Sequence, residues 1–250
     1  MKVALINYTG MGMPSPSDWA ARHLCYIKNT RLTQGQETRE MIAGWPADKL
    51  AGELDYIAKT IRSSWEFIDY TFEITDVTRA FTHQLVRTRT ASYAQQAQRV
   101  VDMGHFGYLL PATVTEARRE GIWNAVMANI AAAYRELQGA GVPNQDCRGL
   151  IPTNAYTNII TKMNLRTIAD LVGKRENLRA QGEYADVVRE MKRLALGVHP
   201  WIAPYLNPER SKTPALDQIL AKELGNAGPL DKPHVNEALK ELDALKGVWG

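Results

Sequence analysis

Residues 71–99 read TFEITDVTRAFTHQLVRTRTASYAQQAQR, and they contain the change from strand to helix around which the fold is predicted. Aromatic and β-branched residues recur over residues 65–74, which predicts a strand with one change of phase. Residues 77–86 predict a helix that leads directly into the arginine-rich end of the stretch. Strand and helix patterns therefore meet within one short segment.

The sequence on either side predicts further elements of both kinds. Upstream we expect a buried strand over residues 2–8, a loop, a helix capped by Ser17 and ending near residue 29, and a core-facing helix over residues 46–63. Downstream, Thr113 and Glu116 form a capping-box pattern before a long helix that ends near residue 139 or 141. The remaining predicted elements are an extended segment at 155–163 and helices at 164–175, 184–196 and 234–245. One mixed α and β domain over residues 1–250 is expected, with 207–250 as a covering tail.

Composition narrows the class of protein. The chain has 250 residues, of which 45% are hydrophobic, and this is enough for a sizeable core. A net charge of +3 is too small to indicate a nucleic-acid coat or a membrane-surface binder. Cys25 and Cys147 form no zinc or disulfide pattern, and the apolar start of the chain is too short for a signal peptide or a membrane span. We therefore expect a cytoplasmic protein.

The region from Val77 to Val101 contains no Asp or Glu, but it contains four arginines, Arg79, Arg87, Arg89 and Arg99. If the segment is helical, Arg79, His83 and Arg87 share one face. A solvated basic face is the ordinary explanation of such a pattern. The interleaved residues are short and polar, however, and suit phosphate oxygens and a base edge, so an anion site is the sharper hypothesis.

A second polar set follows at Arg148 and in the segment NLRTIADLVGKRENLR, residues 164–179. By itself this set is typical of the charged face of an amphipathic helix. The chain has no GxGxxG, Walker loop, HExxH or GxSxG motif, and its five histidines form no pair at ligand spacing, so no metal site is predicted.

Together these blocks resemble the flavin-dependent thymidylate synthases. The family signature is RHR, seven residues, a serine, and an arginine two positions later; here it is RTR, TASYAQQ, Ala97, Gln98 and Arg99. The preceding segment, residues 71–86, resembles the family's strand, turn and helix ending in HQLV. Arg148 before LIP, NLR at residues 164–166, Arg175, and Ala180, Gln181 and Glu183 match the family's later blocks in the same order.

The departures from the family pattern are specific. Thr88 replaces the central histidine of RHR, Ala97 replaces the serine, and Ala94 and Gln95 replace an asparagine and an acidic residue. The histidine that the family has upstream of the strand is also missing, near Ile61. His83 and Arg179 are both candidates to replace the imidazole missing at Thr88. The resemblance is therefore to a divergent member.

The resemblance implies an α+β fold with helices packed on a mainly antiparallel sheet, and a homotetramer with active sites shared between subunits. It implies FAD, NADPH and 5,10-methylenetetrahydrofolate as cofactors and a uridylate nucleotide as substrate. Arg148 and Arg175 correspond to catalytic positions. The substrate-binding positions are Gln84, Arg87, Gln95, Ala97, Arg99, Arg148 and Arg175. The cofactor-binding positions are Arg87, Thr88, Arg89, Gln95, Asn164, Arg166, Asp170 and Arg179.

Two classes of function remain open from the sequence. The first is C5-methylation of UMP, dUMP or both, because the smaller and neutral residues at 94, 95 and 97 would admit a ribose hydroxyl; family members that make thymine-type nucleoside antibiotics are a precedent. C5-hydroxymethylation is a variant of this class. The second is an idle relative that binds a nucleotide or RNA, although the retained arginines make nucleic-acid binding the weaker alternative.

Overall fold

Four antiparallel strands form one sheet in this computed structural model, which describes residues 1–175 and 182–206. The strands are β1 (Lys2–Tyr8), β2 (Asp69–Thr78), β3 (Ala91–Gln95) and β4 (Tyr156–Asn164). Their order is β1-β2-β4-β3, and each neighbouring pair is antiparallel. The predicted class, helices on a mainly antiparallel sheet, is confirmed.

Ten α-helices accompany the sheet in the described residues. They are α1 (Pro16–Asn29), α2 (Gln36–Ala43), α3 (Ala47–Thr60), α4 (Arg79–Leu85), α5 (Ala112–Glu116), α6 (Glu120–Gly139), α7 (Asn144–Cys147), α8 (Leu165–Arg175), α9 (Gly182–Val198) and α10 (Ala203–Leu206). These elements belong to one compact unit, residues 1–207. The predictions for the tail and its helix at 234–245 lie outside the described residues.

The main core lies on one face of the sheet. Along β2 and β4 the side chains alternate, so that Phe72 and Ile74 are buried together with Ile159 and Met163. Helix α8 adds five buried apolar residues, and α9 adds six more. Each large apolar side chain removed from water contributes roughly 1.5–3 kcal/mol, so this face fixes the position of both helices.

Strand β2 is displaced along the chain from its predicted position. Residues 62–67 form a 3₁₀ turn in which Trp65 is buried and donates its indole N–H to the Ile57 carbonyl, 3.3 Å away. The strand therefore begins at Asp69, and a bulge between Ile74 and Val77, with Asp76 at φ 55°, carries it on to Thr78. The aromatic residues that suggested a strand from Trp65 belong to two different elements.

Several other predicted boundaries were wrong. Thr113 and Glu116 lie inside α5, and the long helix α6 begins independently after Arg119, which makes no side-chain cap. Helix α1 begins after Ser15 instead of Ser17, and α2 and β3 were not predicted. The long helix itself ends at Gly139, as expected.

Within the described residues, no helix combines the length and the apolar character that crossing a membrane requires.

Candidate functional site

Helix α4 begins at a firmly held corner of the molecule. The Thr78 hydroxyl accepts a hydrogen bond from the Phe81 N–H at 3.0 Å and donates one to the Glu183 carboxylate at 2.5 Å. The Thr78 N–H donates to the other oxygen of the same carboxylate at 2.8 Å. Threonine is a favourable N-cap, and a carboxylate at a helix N-terminus is stabilised by the exposed backbone N–H groups. Glu183, in the first turn of α9, therefore joins α9 to α4.

The same corner brings Arg79 close to Arg148. The N–H groups of Arg79 and Ala80 donate to the carbonyls of Ala155 and Thr153, at 3.1 and 2.8 Å, so the segment that follows Arg148 lies against α4. Burial lowers the pKa of Arg79, and the like charge of Arg148 lowers it further. Neither guanidinium forms an ion pair with a described carboxylate. Two adjacent cations without a counter-ion favour the binding of an anion.

The turn that carries Arg87, Thr88 and Arg89 lies against the start of α8. The Thr167 hydroxyl is 3.0 Å from the Thr90 hydroxyl, and the Thr88 carbonyl accepts a hydrogen bond from the Tyr93 hydroxyl at 2.8 Å. Asn164 caps α8, because its amide oxygen accepts the Thr167 N–H at 2.9 Å. The structure thus brings together the two polar sets that are separate in the sequence.

Arg175 lies at the end of α8, on the ring of Tyr184. Its guanidinium carbon is 4.7 Å from the ring centroid, and the ring meets that of Phe81 edge-on at 5.1 Å. Burial raises the pKa of Tyr184, while the Thr88 side chain and the Arg175 charge act in the opposite direction. Tyr184 was not among the predicted site residues. No local pattern identifies it, because its contacts are with residues distant in sequence.

The remaining signature residues line the end of β3. The amide nitrogen of Gln95 donates to the Thr82 hydroxyl at 2.8 Å, while Ala94, Ala97 and Arg99 are exposed. Arg79 donates weakly to the neighbouring Gln96 carbonyl at 3.4 Å. Gln84 is half-buried on α4. Predicted substrate positions and predicted cofactor positions therefore both adjoin α4.

Two predicted cofactor residues form ion pairs with the 3₁₀ turn. Arg166 pairs with Glu66 at 2.6 Å, and Asp170 pairs with Arg62 at 3.5 Å. All four side chains are close to half-exposed, so each pair contributes little to stability and can be opened by a charged ligand. Arg62 and Glu66 were missed by the sequence analysis, because Arg62 was assigned to the end of a helix and Glu66 to a strand.

The expected face of Arg79, His83 and Arg87 does not form. Helix α4 ends at Leu85, and the Arg87 N–H donates to the Gln84 carbonyl at 3.1 Å within a turn. His83 is exposed, and Arg179 lies outside the described residues. In the described part of the chain, no group of three His, Cys, Asp or Glu side chains is placed to hold a metal ion.

The fold and the site define a mixed α+β protein in which several arginines, among them Arg79, Arg148 and Arg175, form no ion pair with a carboxylate in the described residues, as a site for an anion requires. Comparison with known proteins identifies the family: the model described as "Thymidylate synthase complementing protein" matches residues 4–201, and the chain belongs to this family. It is 38% identical over 207 residues to a flavin-dependent thymidylate synthase of Geobacter sulfurreducens, covering 81% of this chain and 85% of that protein.

Two further relatives bear the same name. The flavin-dependent thymidylate synthase of Nitratidesulfovibrio vulgaris is 33% identical, covering 63% of this chain and 74% of the relative. That of Clostridium tetani is 30% identical, covering 83% of this chain and 87% of the relative. The resemblance drawn from the signature blocks is confirmed at the level of the family.

Proposed function

We propose that this protein catalyses flavin-dependent C5-methylation of a uridylate nucleotide, with UMP as a substrate beside or above dUMP. FAD, NADPH and 5,10-methylenetetrahydrofolate are the proposed cofactors, and the cytoplasm is the proposed location. Membership of the family and the names of the relatives support the reaction class. The residues at the end of β3 support the change of substrate.

The donor groups suit a flavin dinucleotide. Arg87 and Arg89 are exposed and form no ion pair with a described carboxylate, as a pyrophosphate requires. Arg166 and Asp170 lie on the adjacent start of α8, in exposed pairs that a ligand can open. When bound, the flavin supplies the reducing equivalent that completes the methyl group.

The chain's own contribution is electrostatic. Arg148 and Arg175 are proposed to stabilise negative charge that develops on the uracil ring, because cations already fixed in position need no reorganisation during the reaction. Ala97 has no hydroxyl and cannot act as a nucleophile. Arg79, beside Arg148, adds positive charge on the same side of α4.

Gln95 is the observation that carries the UMP proposal. Its amide nitrogen is engaged by Thr82 at 2.8 Å, which leaves the amide oxygen as an acceptor for a ribose 2′-hydroxyl. A carboxylate at this position would add charge, and a serine in place of Ala97 would add bulk beside it. The neutral amide and the small alanine together support acceptance of a ribonucleotide.

The test is an assay with FAD, NADPH and methylenetetrahydrofolate on UMP, dUMP, CMP and dCMP. Methylation of UMP at least as fast as that of dUMP is expected, and strict selectivity for dUMP would remove the UMP proposal. Gln95→Glu with Ala97→Ser restores the family's residue types and should shift the preference towards dUMP. The product mass distinguishes a methyl from a hydroxymethyl group, and colourless protein that binds RNA would indicate the idle relative.

We also propose a homotetramer whose sites are shared between subunits. Two residues of the twenty in α6, Met127 and Tyr134, are buried, while Ile122 and Val126 are 65% and 48% exposed. Spacings of four place these two side chains on one stripe. An apolar stripe of this kind suits a second copy of the chain. Light scattering should give four times the monomer mass, and Val126→Glu should lower it; a monomeric wild-type protein contradicts the proposal.

A further inference from the structure

Arg175 is half-buried and lies on the face of an aromatic ring. Its guanidinium carbon lies 4.7 Å from the centroid of the Tyr184 ring. It forms no ion pair with any carboxylate in the described segments 1–175 and 182–206. The neighbouring carboxylate of Glu183 is engaged elsewhere, because both of its oxygens accept hydrogen bonds from Thr78.

This arrangement leaves the arginine available for a ligand. A carboxylate partner would neutralise the guanidinium and occupy some of its five N–H donors. The face of an aromatic ring also attracts the cation, but it leaves the edge of the guanidinium plane free to donate. Arg175 therefore keeps both its charge and its directional donors.

The supporting ring is itself fixed by packing. Tyr184 is fully buried at the start of α9, and its ring meets the Phe81 ring of α4 edge-on at 5.1 Å. Its hydroxyl makes no hydrogen bond of good geometry within the described residues, although the side chains of Thr88 and Arg175 lie close enough to lower its pKa. The ring packs between Phe81 and Arg175, and Tyr184→Phe separates its contribution from that of the hydroxyl.

We propose that Tyr184 is a positioning residue whose ring holds the Arg175 guanidinium ready for the anionic nucleotide. The inference rests on the proposed function, since it takes a uridylate nucleotide as the ligand of Arg175. It adds a residue that the family signature did not indicate, and it is consistent with the adjacent Glu183, whose carboxylate binds Thr78 and forms no ion pair with Arg175.

The first test measures binding of UMP and dUMP to the FAD-loaded, full-length protein by calorimetry. Tyr184→Phe keeps the ring and should bind within about twofold of the wild type, whereas Tyr184→Leu should bind roughly tenfold more weakly. Tyr184→Met fills a similar volume without a ring and serves the same purpose if the leucine variant does not fold. Tyr205→Leu is the matched control, because Tyr205 is equally buried but bonds to the Leu54 carbonyl, at 2.7 Å, and should keep wild-type affinity.

The second test asks whether Tyr184 acts through Arg175. If it does, Arg175→Gln with Tyr184→Leu binds no more weakly than Arg175→Gln alone, a coupling that a general loss of structure does not produce. Additive losses, or equal affinity of Tyr184→Leu and the wild type, would overturn the inference. Wild-type protein that binds neither nucleotide would instead overturn the proposed function, and this inference with it.

Discussion

The arginines of α9 and those around α4 have opposite surroundings. On the exposed side of α9, Arg189 pairs with Asp186, and Arg193 pairs with Glu190 at 2.6 Å. Around α4, Arg79 and Arg148 have no described carboxylate within ion-pairing distance, and the charge of Arg148 lowers the pKa of Arg79. The arginines of α9 are neutralised by carboxylates of their own helix, whereas Arg79 and Arg148 have no such partner among the described residues.

The pKa values of the two regions move in opposite directions. The hydrogen bond with Glu190 raises the pKa of Arg193, whereas burial and the charge of Arg148 lower that of Arg79. Like charges held together oppose folding, and a bound anion removes that cost. An arginine without a counter-ion inside a folded protein is therefore better evidence for a ligand site than the number of arginines.

The sharpest way to break this comparison is to neutralise one arginine in each region. Arg148→Gln should lower kcat/KM by roughly 10²–10³, as expected when a group that stabilises developing charge is removed. Arg193→Gln should change it by less than about twofold, because its pair is exposed. Steady-state kinetics with UMP and dUMP measures both. Equal losses in the two variants would contradict the distinction between the regions.

Titration of His199 sets the pH range in which the comparison is valid. His199 is fully buried, its Nδ1 lies 2.8 Å from the Tyr70 hydroxyl, and burial lowers its pKa to about 4. The folded state favours the neutral form of His199. Its contribution to the free energy of unfolding is therefore complete above pH 6.5 and is lost as the pH falls from 6.5 to 4. The shift corresponds to about 3 kcal/mol.

Urea denaturation at pH 7 and pH 4 measures this loss, with His199→Phe as the control that should lack the His199 component. If the pH dependence of the variant equals that of the wild type, His199 does not titrate as described. Activity comparisons between the arginine variants belong above pH 6.5.

Removal of the Glu183 carboxylate tests whether α4 is held in place by α9. Glu183→Ala should lower the free energy of unfolding by about 2 kcal/mol, because Thr78 loses two hydrogen bonds to a charged acceptor. Glu190→Ala removes an acidic residue from the same helix at an exposed ion pair and should cost far less. Urea titration compares them, and a similar cost for both would show that the corner is not a structural anchor.

Arg79→Gln should separate binding from stability. Because Arg79 faces the like charge of Arg148, its neutralisation should not lower the melting temperature. Affinity for UMP should fall about tenfold at low salt, and the salt dependence of binding should weaken. Calorimetry at two salt concentrations checks this. Unchanged affinity together with a lower melting temperature would make Arg79 a structural residue.

Much of the fold was predictable because its patterns are local. The apolar run of β1 and the apolar stripe of α8 are written in consecutive residues, and both elements were predicted within one residue of their observed bounds. The expectation that β1 is buried was wrong, because it is an edge strand whose residues are exposed or half-buried. Helix α2 was missed because Thr38 and Ile42 are its two buried residues, too few for a visible period. The bulge at Asp76 could not be predicted either, because its conformation depends on pairing with β4.

The candidate site divides in the same way. The signature arginines, Thr88 and Asn164 follow from sequence blocks that lie in a fixed order. Tyr184 and Arg62 do not, because Tyr184 packs on Phe81 of α4 and Arg62 pairs with Asp170 of α8, in each case across a long stretch of chain. Sequence thus identifies the residues proposed to meet the ligand more readily than those that position them.

The smallest expected effect comes from a change at Arg62. It tests whether the pair of Arg62 and Asp170 is only a surface ion pair or whether Asp170 belongs to a ligand site. Arg62→Gln breaks the ion pair with Asp170. The two side chains are 49% and 48% exposed, so the free energy of unfolding should change by less than about 0.5 kcal/mol. If Asp170 binds the proposed cofactor, loss of its ion pair with Arg62 should leave the affinity for FAD unchanged or raise it. Asp170→Asn should lower that affinity. Flavin fluorescence titration measures both variants against Lys59→Gln, which removes a more exposed pair with Asp55. Unchanged FAD affinity in Asp170→Asn would leave the pair with Arg62 as the whole role of Asp170 and would remove it from the cofactor site.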